Sequence, residues 1–240
     1  MNLKGAPIAV LDFETTGVDP TTCRPVSVAV VHIDALGESE PVLAFESLIN
    51  PRMPIPAEAT EIHGITDEMA GNAKPFGDVM TDLAPALDGR TLAAYNLSYD
   101  WQVLDSTMQR VFGRGAMPFR GICGYVMARA IDKYQKGKKL VDVAGRRGLT
   151  FAAHDAGADA MVTARLLPIL LRELGRGKPG RYGLDGPWCT PRDMQSVDAF
   201  WAWTCRAGAA QEKDLAAYFA RSGKTMDSMP WTELTKGEKT

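Results

Sequence analysis

The segment PIAVLDFETTG, residues 7–17, constrains the fold more than any other stretch of the chain. A short apolar run that passes into alternation and closes on Gly17 and Pro20 reads as a buried β-strand. Asp12 and Glu14 lie two positions apart on it, so both carboxylates leave the strand on one face. Like charges at the end of an apolar strand are costly unless a cation neutralises them. Oxygen-only donors of this kind suit Mg²⁺ or Mn²⁺ rather than zinc. Taken alone, the segment has an alternative: a strand end dipping into solvent, with Thr15-Thr16-Gly17 as a turn.

Two further strands follow, VSVAVVHID (26–34) and VLAFESLIN (42–50), separated by Gly37 and polar neighbours. Such short connections favour an antiparallel meander of three. Pro51, Pro54 and Pro56 then predict an extended crossing segment. PFGDVMTDLAPALDG reads as an amphipathic helix and TLAAYN as a fourth strand. Residues 98–112 read as a helix, with Trp101, Leu104, Met108 and Val111 at helical spacing. Helices are also predicted over 124–132, 139–147 and 156–174, and Pro168 should kink the last or end its regular part. Strands first, then strands alternating with helices, indicate an α/β layer on a mixed sheet.

After Leu174 the texture changes. GRGKPGRYGLDGP is a Gly/Pro-rich linker, and beyond it lie four of the five tryptophans, Trp188, Trp201, Trp203 and Trp231. Thr190-Pro191-Arg192-Asp193 resembles a helix start, with Thr190 as N-cap. A second helix is predicted over 211–221, closed by Gly223. The expected organisation is a domain over 1–174 and a small helical appendage over 175–240. Trp201 and Trp203 cannot both face one side of a helix, so at least one packs on the body or meets another chain. The appendage is thus a candidate for partner binding or self-association.

Four scattered cysteines without a CxxC pair argue against a disulfide framework or zinc site and fit a reducing cytoplasm. No run of about 18 apolar residues is present, so no membrane span is expected, and the first residues do not read as a secretory signal. The formal net charge is −2, so any polyanion must be met by local charge or by metal ions. One local excess exists: Arg110, Arg114, Arg120, Arg129, Lys133, Lys136, Lys138, Lys139, Arg146 and Arg147 face only Asp132 and Asp142 over that stretch. With Tyr134 it could track a phosphate backbone; a solvated lysine-rich loop is the alternative.

Two more segments carry chemistry-bearing residues. In AYNLSYDWQVL the strand delivers Asn96 to its end and Asp100 to the first turn of the next helix. A purely structural role is open to both, Asn96 in a backbone bond and Asp100 in complementing the helix dipole. In HDAGADAMVTARLL, His154 and Asp159 are five apart, which on one helix would set them about 140° apart. His154 therefore belongs on the loop or first turn, with Asp159 inside the helix and Asp155 a candidate N-cap.

In this order and at these spacings the segments resemble the DEDDh branch of the DnaQ-like exonucleases, over roughly residues 6–174. The matching motifs are DxE at Asp12 and Glu14, N-x3-D at Asn96 and Asp100, and H-x4-D at His154 and Asp159. PIPAEATEIHGIT also matches the family's segment, with His63 in its HGIT position. One departure is Cys123-Gly124, where many relatives carry Asp-Thr, and it bears on local packing or substrate fit.

The resemblance implies a ribonuclease H-like mixed five-stranded sheet flanked by helices. It also implies a 3′–5′ exonuclease that hydrolyses terminal phosphodiesters with two divalent ions, Mg²⁺ or Mn²⁺, held by Asp12, Glu14, Asp100 and Asp159. His154 would take the proton from water as general base. Backbone at Thr15 and Thr16, with His63, would clasp the terminal nucleotide, and Asn96 would orient the strand end or touch substrate. The implied partner is a single-stranded 3′ end, of DNA in repair or proofreading. An RNA-trimming role is the alternative within the same chemistry, since nothing here reads a 2′-hydroxyl. A non-catalytic nucleic-acid-binding scaffold is the alternative from another class, and the five filled site positions argue against it.

Overall fold

A computed structural model of the chain describes residues 3–116, 120–176, 189, 190, 192–221, 223–225 and 231. After a short 3-10 turn (Leu3–Gly5), the chain forms β1 (Ile8–Thr15), β2 (Pro25–Ile33) and β3 (Val42–Leu48). These pair antiparallel as the meander that their short connections predict. β4 (Thr91–Ala94) lies parallel to β1 on its other side, and β5 (Gly121–Cys123) lies parallel to β4, giving the order β3-β2-β1-β4-β5.

Ile8 to Leu11 are all at zero exposure. Successive strand residues point to opposite faces, so both faces of the sheet are covered at β1. The helices that cover it are α3 (Phe76–Leu87), α4 (Leu97–Phe112) and α7 (Ala156–Arg176). Helix α7 packs on β1, β2 and β3, while α3 and α4 pack on one another and on the sheet. Pro168 does not end α7, which continues to Arg176. Helices α5 (Gly124–Ile131) and α6 (Leu140–Gly145) lie against α7.

The proline-rich crossing leads into two helices that its sequence does not announce, α1 (Ala57–His63) and α2 (Asp67–Gly71). Gly64 closes α1 in the left-handed conformation, and Thr66 Oγ1 caps α2 by accepting the Met69 N–H. Together they bury Ile55, Ala59, Ile65 and Ala70 in a small satellite core with Val26.

The C-terminal part forms one helix, α8 (Val197–Arg221), rather than one beginning near Thr190 and another near Gln211. Its cap is Ser196, whose Oγ accepts the Ala199 N–H at 3.1 Å. Thr190 and Asp193 do exchange hydrogen bonds, but they close a turn. Pro191, Trp188 and residues 177–187 of the linker lie outside the described residues. Helix α8 packs on α5 and on the edge strand β5, an edge otherwise open to pairing with another chain. Both tryptophans are buried: Trp203 stacks obliquely on Phe200, and Trp201 on Trp231. They belong to the same apolar core as the sheet. Among the described residues no helix is long and apolar enough to cross a membrane.

Candidate active site

The parallel strands β1 and β4 end side by side, and the segments that follow them meet over the sheet edge, where open α/β sheets place their sites. On β1 only Asp12 and Glu14 escape full burial. A register shift between Glu14 and Thr15 bends the strand there. Helix α4 begins directly after β4 and carries Asp100 in its first turn, only 5% exposed. The Phe13 N–H donates to Asp100 Oδ1 at 3.2 Å, fastening this carboxylate to the backbone between Asp12 and Glu14.

Asp159 comes from the first turn of α7. The helix starts because Asp155 Oδ1 accepts the Ala158 N–H at 2.8 Å, so Asp155 caps as its position suggests. His154, just before the cap, has φ +67°, a left-handed conformation unusual for a residue with a side chain. Its N–H donates to Asp159 Oδ2 at 3.4 Å. The kink sets the imidazole, exposed, beside Glu14 and Asp159, and one ligand atom from each of the three falls within 4.8 Å of the others.

Burial first, then the charges of Asp100, Asp159 and Glu14, raise the Asp12 carboxyl well above its ordinary range. Burial pushes Asp100 up to about 8, outweighing the Phe13 N–H. Glu14 is pushed up to about 7 by burial and the nearby Asp159 and Asp155. Asp159 is pushed up to about 6 by burial, against the His154 N–H. Such a cluster calls for protons or cations. Asp159 Oδ1 is buried and makes no hydrogen bond. A donor set of carboxylate oxygens with an orphaned buried oxygen among them fits a hard divalent cation.

His63, some fifty residues from β1 in sequence, also reaches the site. Its Nδ1 accepts the Ile65 N–H at 3.0 Å, which leaves the ring proton on Nε2. Burial lowers its pKa, the Thr15 backbone opposes this, and the His154 ring adds to it. Thr15 and Thr16 are buried and bound within the turn. The Thr16 N–H donates to the Arg24 carbonyl at 2.9 Å, and Thr16 Oγ1 accepts the Arg24 N–H at 3.0 Å. Asn96 caps α4 through its carbonyl, which accepts the Tyr99 N–H; its side chain is exposed and receives the Ser98 hydroxyl at 3.2 Å.

The pattern of acidic residues does not single out Tyr99. Its hydroxyl lies 2.7 Å from the Thr15 hydroxyl and 2.8 Å from the Gly17 carbonyl, which Thr15 Oγ1 also reaches at 2.8 Å. This knot ties the end of β1 to α4, one residue from Asp100. At the departure noted above, Cys123 is buried with its thiol on the Tyr95 carbonyl, and a Cβ on Gly124 would meet the Tyr95 ring at 3.1 Å.

Half of the basic stretch is built into the fold. Arg146 and Arg147 hold Asp132 at 2.8 and 3.0 Å, and Arg147 also holds Glu173 at 2.7 Å. Burial pushes Asp132 up, yet the hydrogen bonds from Arg147 and Arg146 leave it below its ordinary value. Arg120 pairs with Asp198, Arg129 lies over the Tyr125 ring, and Arg110 donates to the Cys23 and Thr21 carbonyls. Lys136 and Lys139 remain exposed in the loop beyond α5.

Residues 9–167 match the model of the family described as Exonuclease (RNase_T). The chain is 30% identical over 167 residues to a DNA polymerase III PolC-type of Thermotoga petrophila, covering 69% of this chain and 12% of that protein. It thus spans about one eighth of that relative's length. It is 28% identical over 165 residues to a DNA polymerase III subunit epsilon of Treponema pallidum, covering 67% of this chain and 74% of that one. Among solved structures, an exonuclease X in complex with 5′ overhanging duplex DNA superposes with a TM-score of 0.53 at 23% identity. That match covers 69% of this chain and 91% of the other, and carries the likeness of fold.

Proposed function

Because the chain belongs to the DnaQ-like exonuclease family, nuclease hydrolases of ribonuclease H-like fold, we propose that it removes nucleotides from the 3′ end of a DNA strand. The observation that carries this is the convergence of Asp12, Glu14, Asp100 and Asp159 beside His154 at one end of the sheet. Asp12, Glu14, Asp100 and Asp159 would hold two divalent cations, Mg²⁺ or Mn²⁺. When bound, such a pair neutralises the four carboxylates and stabilises the negative charge that grows on a phosphoryl group in flight.

The chain's own residues do the rest. His154 accepts a proton from water at a ring nitrogen as the water oxygen attacks the terminal phosphorus. The new P–O bond forms as the bond to the 3′ oxygen breaks, that oxygen takes a proton from solvent water, and a nucleoside 5′-monophosphate leaves a strand ending in a 3′-hydroxyl. The His154 N–H bond to Asp159 fixes the loop from which the imidazole reaches the site. His63 and the backbone at Thr15 and Thr16 seat the terminal nucleotide, held by the Tyr99 knot, and Asn96 lies exposed at the mouth. The site takes single-stranded 3′ ends, in repair or proofreading. The epsilon-type relative makes a polymerase a reasonable protein partner, with α8 as a candidate contact.

The test is a gel assay on 5′-labelled single-stranded DNA and matching RNA, with Mg²⁺ or Mn²⁺, beside Asp12→Ala. A ladder shortening from the 3′ end and absent in the variant supports the reading, and the DNA-to-RNA ratio decides the substrate. Equal cleavage by Asp12→Ala would overturn it.

A further inference from the structure

Three arginines on separate segments meet in a cleft of about 380 Å³ whose lining includes none of the acidic-cluster residues. Arg24 opens β2, Arg52 follows β3, and Arg110 lies in the last turn of α4. Among the described residues none of the three has a carboxylate within ion-pairing distance. Asp78 is the one acid on the lining, so the cleft carries an excess of two positive charges, three less one. What sets these three apart is their convergence on one cleft, not the lack of an ion pair alone.

Two of the guanidinium groups are fixed in place by carbonyls. Arg24 Nη1 donates to the Pro51 carbonyl at 2.8 Å, and Arg110 donates to the Cys23 and Thr21 carbonyls at 3.3 and 3.2 Å. These bonds orient the groups and leave their charge uncompensated. Arg52 stands at φ +54°, its N–H donating to Asn50 Oδ1 at 2.8 Å. A residue with a side chain pays for that conformation, and such strain collects where a side chain has a task.

The floor supplies an independent observation. Thr107, on α4, is 3% exposed and lines the cleft, and its Oγ1 makes no hydrogen bond. A buried hydroxyl without a partner costs about 1–3 kcal/mol, and a helical threonine would ordinarily satisfy itself on the carbonyl one turn back. An oxygen-rich anion seated among the arginines would supply the missing acceptor.

We propose that this cleft binds a phosphate group, through the guanidinium groups of Arg24, Arg52 and Arg110 and the hydroxyl of Thr107. Planar guanidinium donors match phosphate oxygens in pairs. The cleft and the acidic site share a frame: Thr16 is two residues beyond Glu14 and is bonded at both N–H and hydroxyl to Arg24. Along α4, Thr107 and Arg110 lie seven and ten residues from Asp100, about 10 to 15 Å at 1.5 Å per residue. That is roughly three to four steps of a stacked strand at ~3.4 Å per step. The phosphate is then either an internal phosphodiester of a bound strand, a version that rests on the exonuclease reading, or the phosphomonoester of a free nucleotide.

The test measures binding to the full chain in EDTA, where the acidic site repels phosphate and cleavage is off. Inorganic phosphate and a nucleoside 5′-monophosphate are titrated by calorimetry, and a 5′-fluorescent octadeoxynucleotide by anisotropy across a salt series. Arg52→Glu should weaken binding at least tenfold. Arg52→Ala should lower the salt slope for the octamer by about 0.7, the loss of one phosphate contact on a single strand. Thr107→Val should weaken binding while leaving the melting temperature equal or higher, an outcome that a merely structural hydroxyl would not give.

Weakening for all three probes assigns the cleft to a phosphate group from either source. Weakening for the octamer alone assigns it to the strand backbone, and for the small phosphates alone to a free nucleotide. Unchanged binding of every probe in both Arg52 variants overturns the proposal. Wild-type cleavage in Mg²⁺ is scored separately. If it is absent while Arg52-dependent binding persists, the exonuclease reading fails and the cleft stands; the converse sinks the cleft alone.

Discussion

Raising the pH of the metal-free protein should destabilise it, which is the reverse of what most acidic side chains do. Glu14 is pushed from an ordinary 4.5 to about 7, Asp159 from 3.8 to about 6 and Asp100 from 3.8 to about 8. A carboxyl with a raised folded-state pKa binds its proton more tightly in the folded chain than in the unfolded one. Stability is therefore highest near the unfolded values and falls as pH rises through the folded ones, between about pH 4.5 and 8. At about 1.4 kcal/mol per pH unit, the buried Asp100 alone, raised from 3.8 to about 8, takes about 6 kcal/mol from the fold, and the partly solvated Glu14 and Asp159 add less than their full shifts. For a chain of this size that is a fall in Tm of about 10 °C or more.

Three other groups define the window and the controls. Asp132 and Asp193 have lowered values, so their contribution disappears only as pH falls below the ordinary carboxylate range, outside this window. His63 opposes the trend, because its lowered pKa makes protonation below ~6.5 favour unfolding, and His63→Gln removes that contribution. The assay is differential scanning calorimetry in EDTA at pH 5 and 8.5, repeated with Mn²⁺. At pH 8.5, Mn²⁺ at a hundred times its Kd should restore about 2.7 kcal/mol, with much less effect at pH 5. A Tm in EDTA that stays level or climbs over this range would refute the reasoning, as would an unchanged slope in Asp12→Asn/Asp100→Asn.

Tyr99→Phe should cost about 1 kcal/mol, the worth of its hydrogen bonds. It should raise KM more than it lowers kcat, because the knot with Thr15 and Gly17 positions the turn rather than the acids; steady-state kinetics on a short strand check this. Arg147→Met leaves Asp132 and Glu173 without their shared partner, whose side chain is 8% exposed. The urea midpoint should fall by an amount worth about 3 kcal/mol with the m-value unchanged. Gly208→Ala would set a Cβ 2.5 Å from Trp231 Cγ. Expelling that ring should destabilise the chain by about 1–3 kcal/mol and shift tryptophan emission to the red.

What the sequence discloses follows from how local its causes are. The alternation of β1, the helical spacing of α4 and the length of α7 are written in neighbouring residues, and all three elements form as read. The gathering of Asp12, Glu14, Asp100, His154 and Asp159 was legible only because their order resembles a known family; spacing alone leaves a bland role open to each. Helices α1 and α2 were missed because seven and five residues carry too little periodicity to outweigh the surrounding prolines. Helix α8 runs unbroken over Val197–Arg221, where the cap-like residues at Thr190 and the spacing over 211–221 suggest two helices, and Gly208 within it makes room for Trp231. The basic stretch reads either as a strand-binding track or as a solvated loop because the folded pairings, Arg146 and Arg147 on Asp132 and Arg147 on Glu173 26 residues away, leave no local pattern. The left-handed turn at His154 has no glycine to announce it, and it is accompanied by the bond to Asp159 five residues on.

If the acidic cluster is an exonuclease site, it cleaves a strand only at its 3′ end. The measurement is a time course in Mg²⁺ on one DNA sequence, as a 5′-labelled linear single strand and as a closed circle, with wild type and Asp12→Ala side by side. The account predicts that the linear strand shortens one nucleotide at a time from the 3′ end, that the circle stays intact, and that the variant cleaves neither. Nicking of the circle, or release of the 5′ label as a mononucleotide at the first time points, would contradict it.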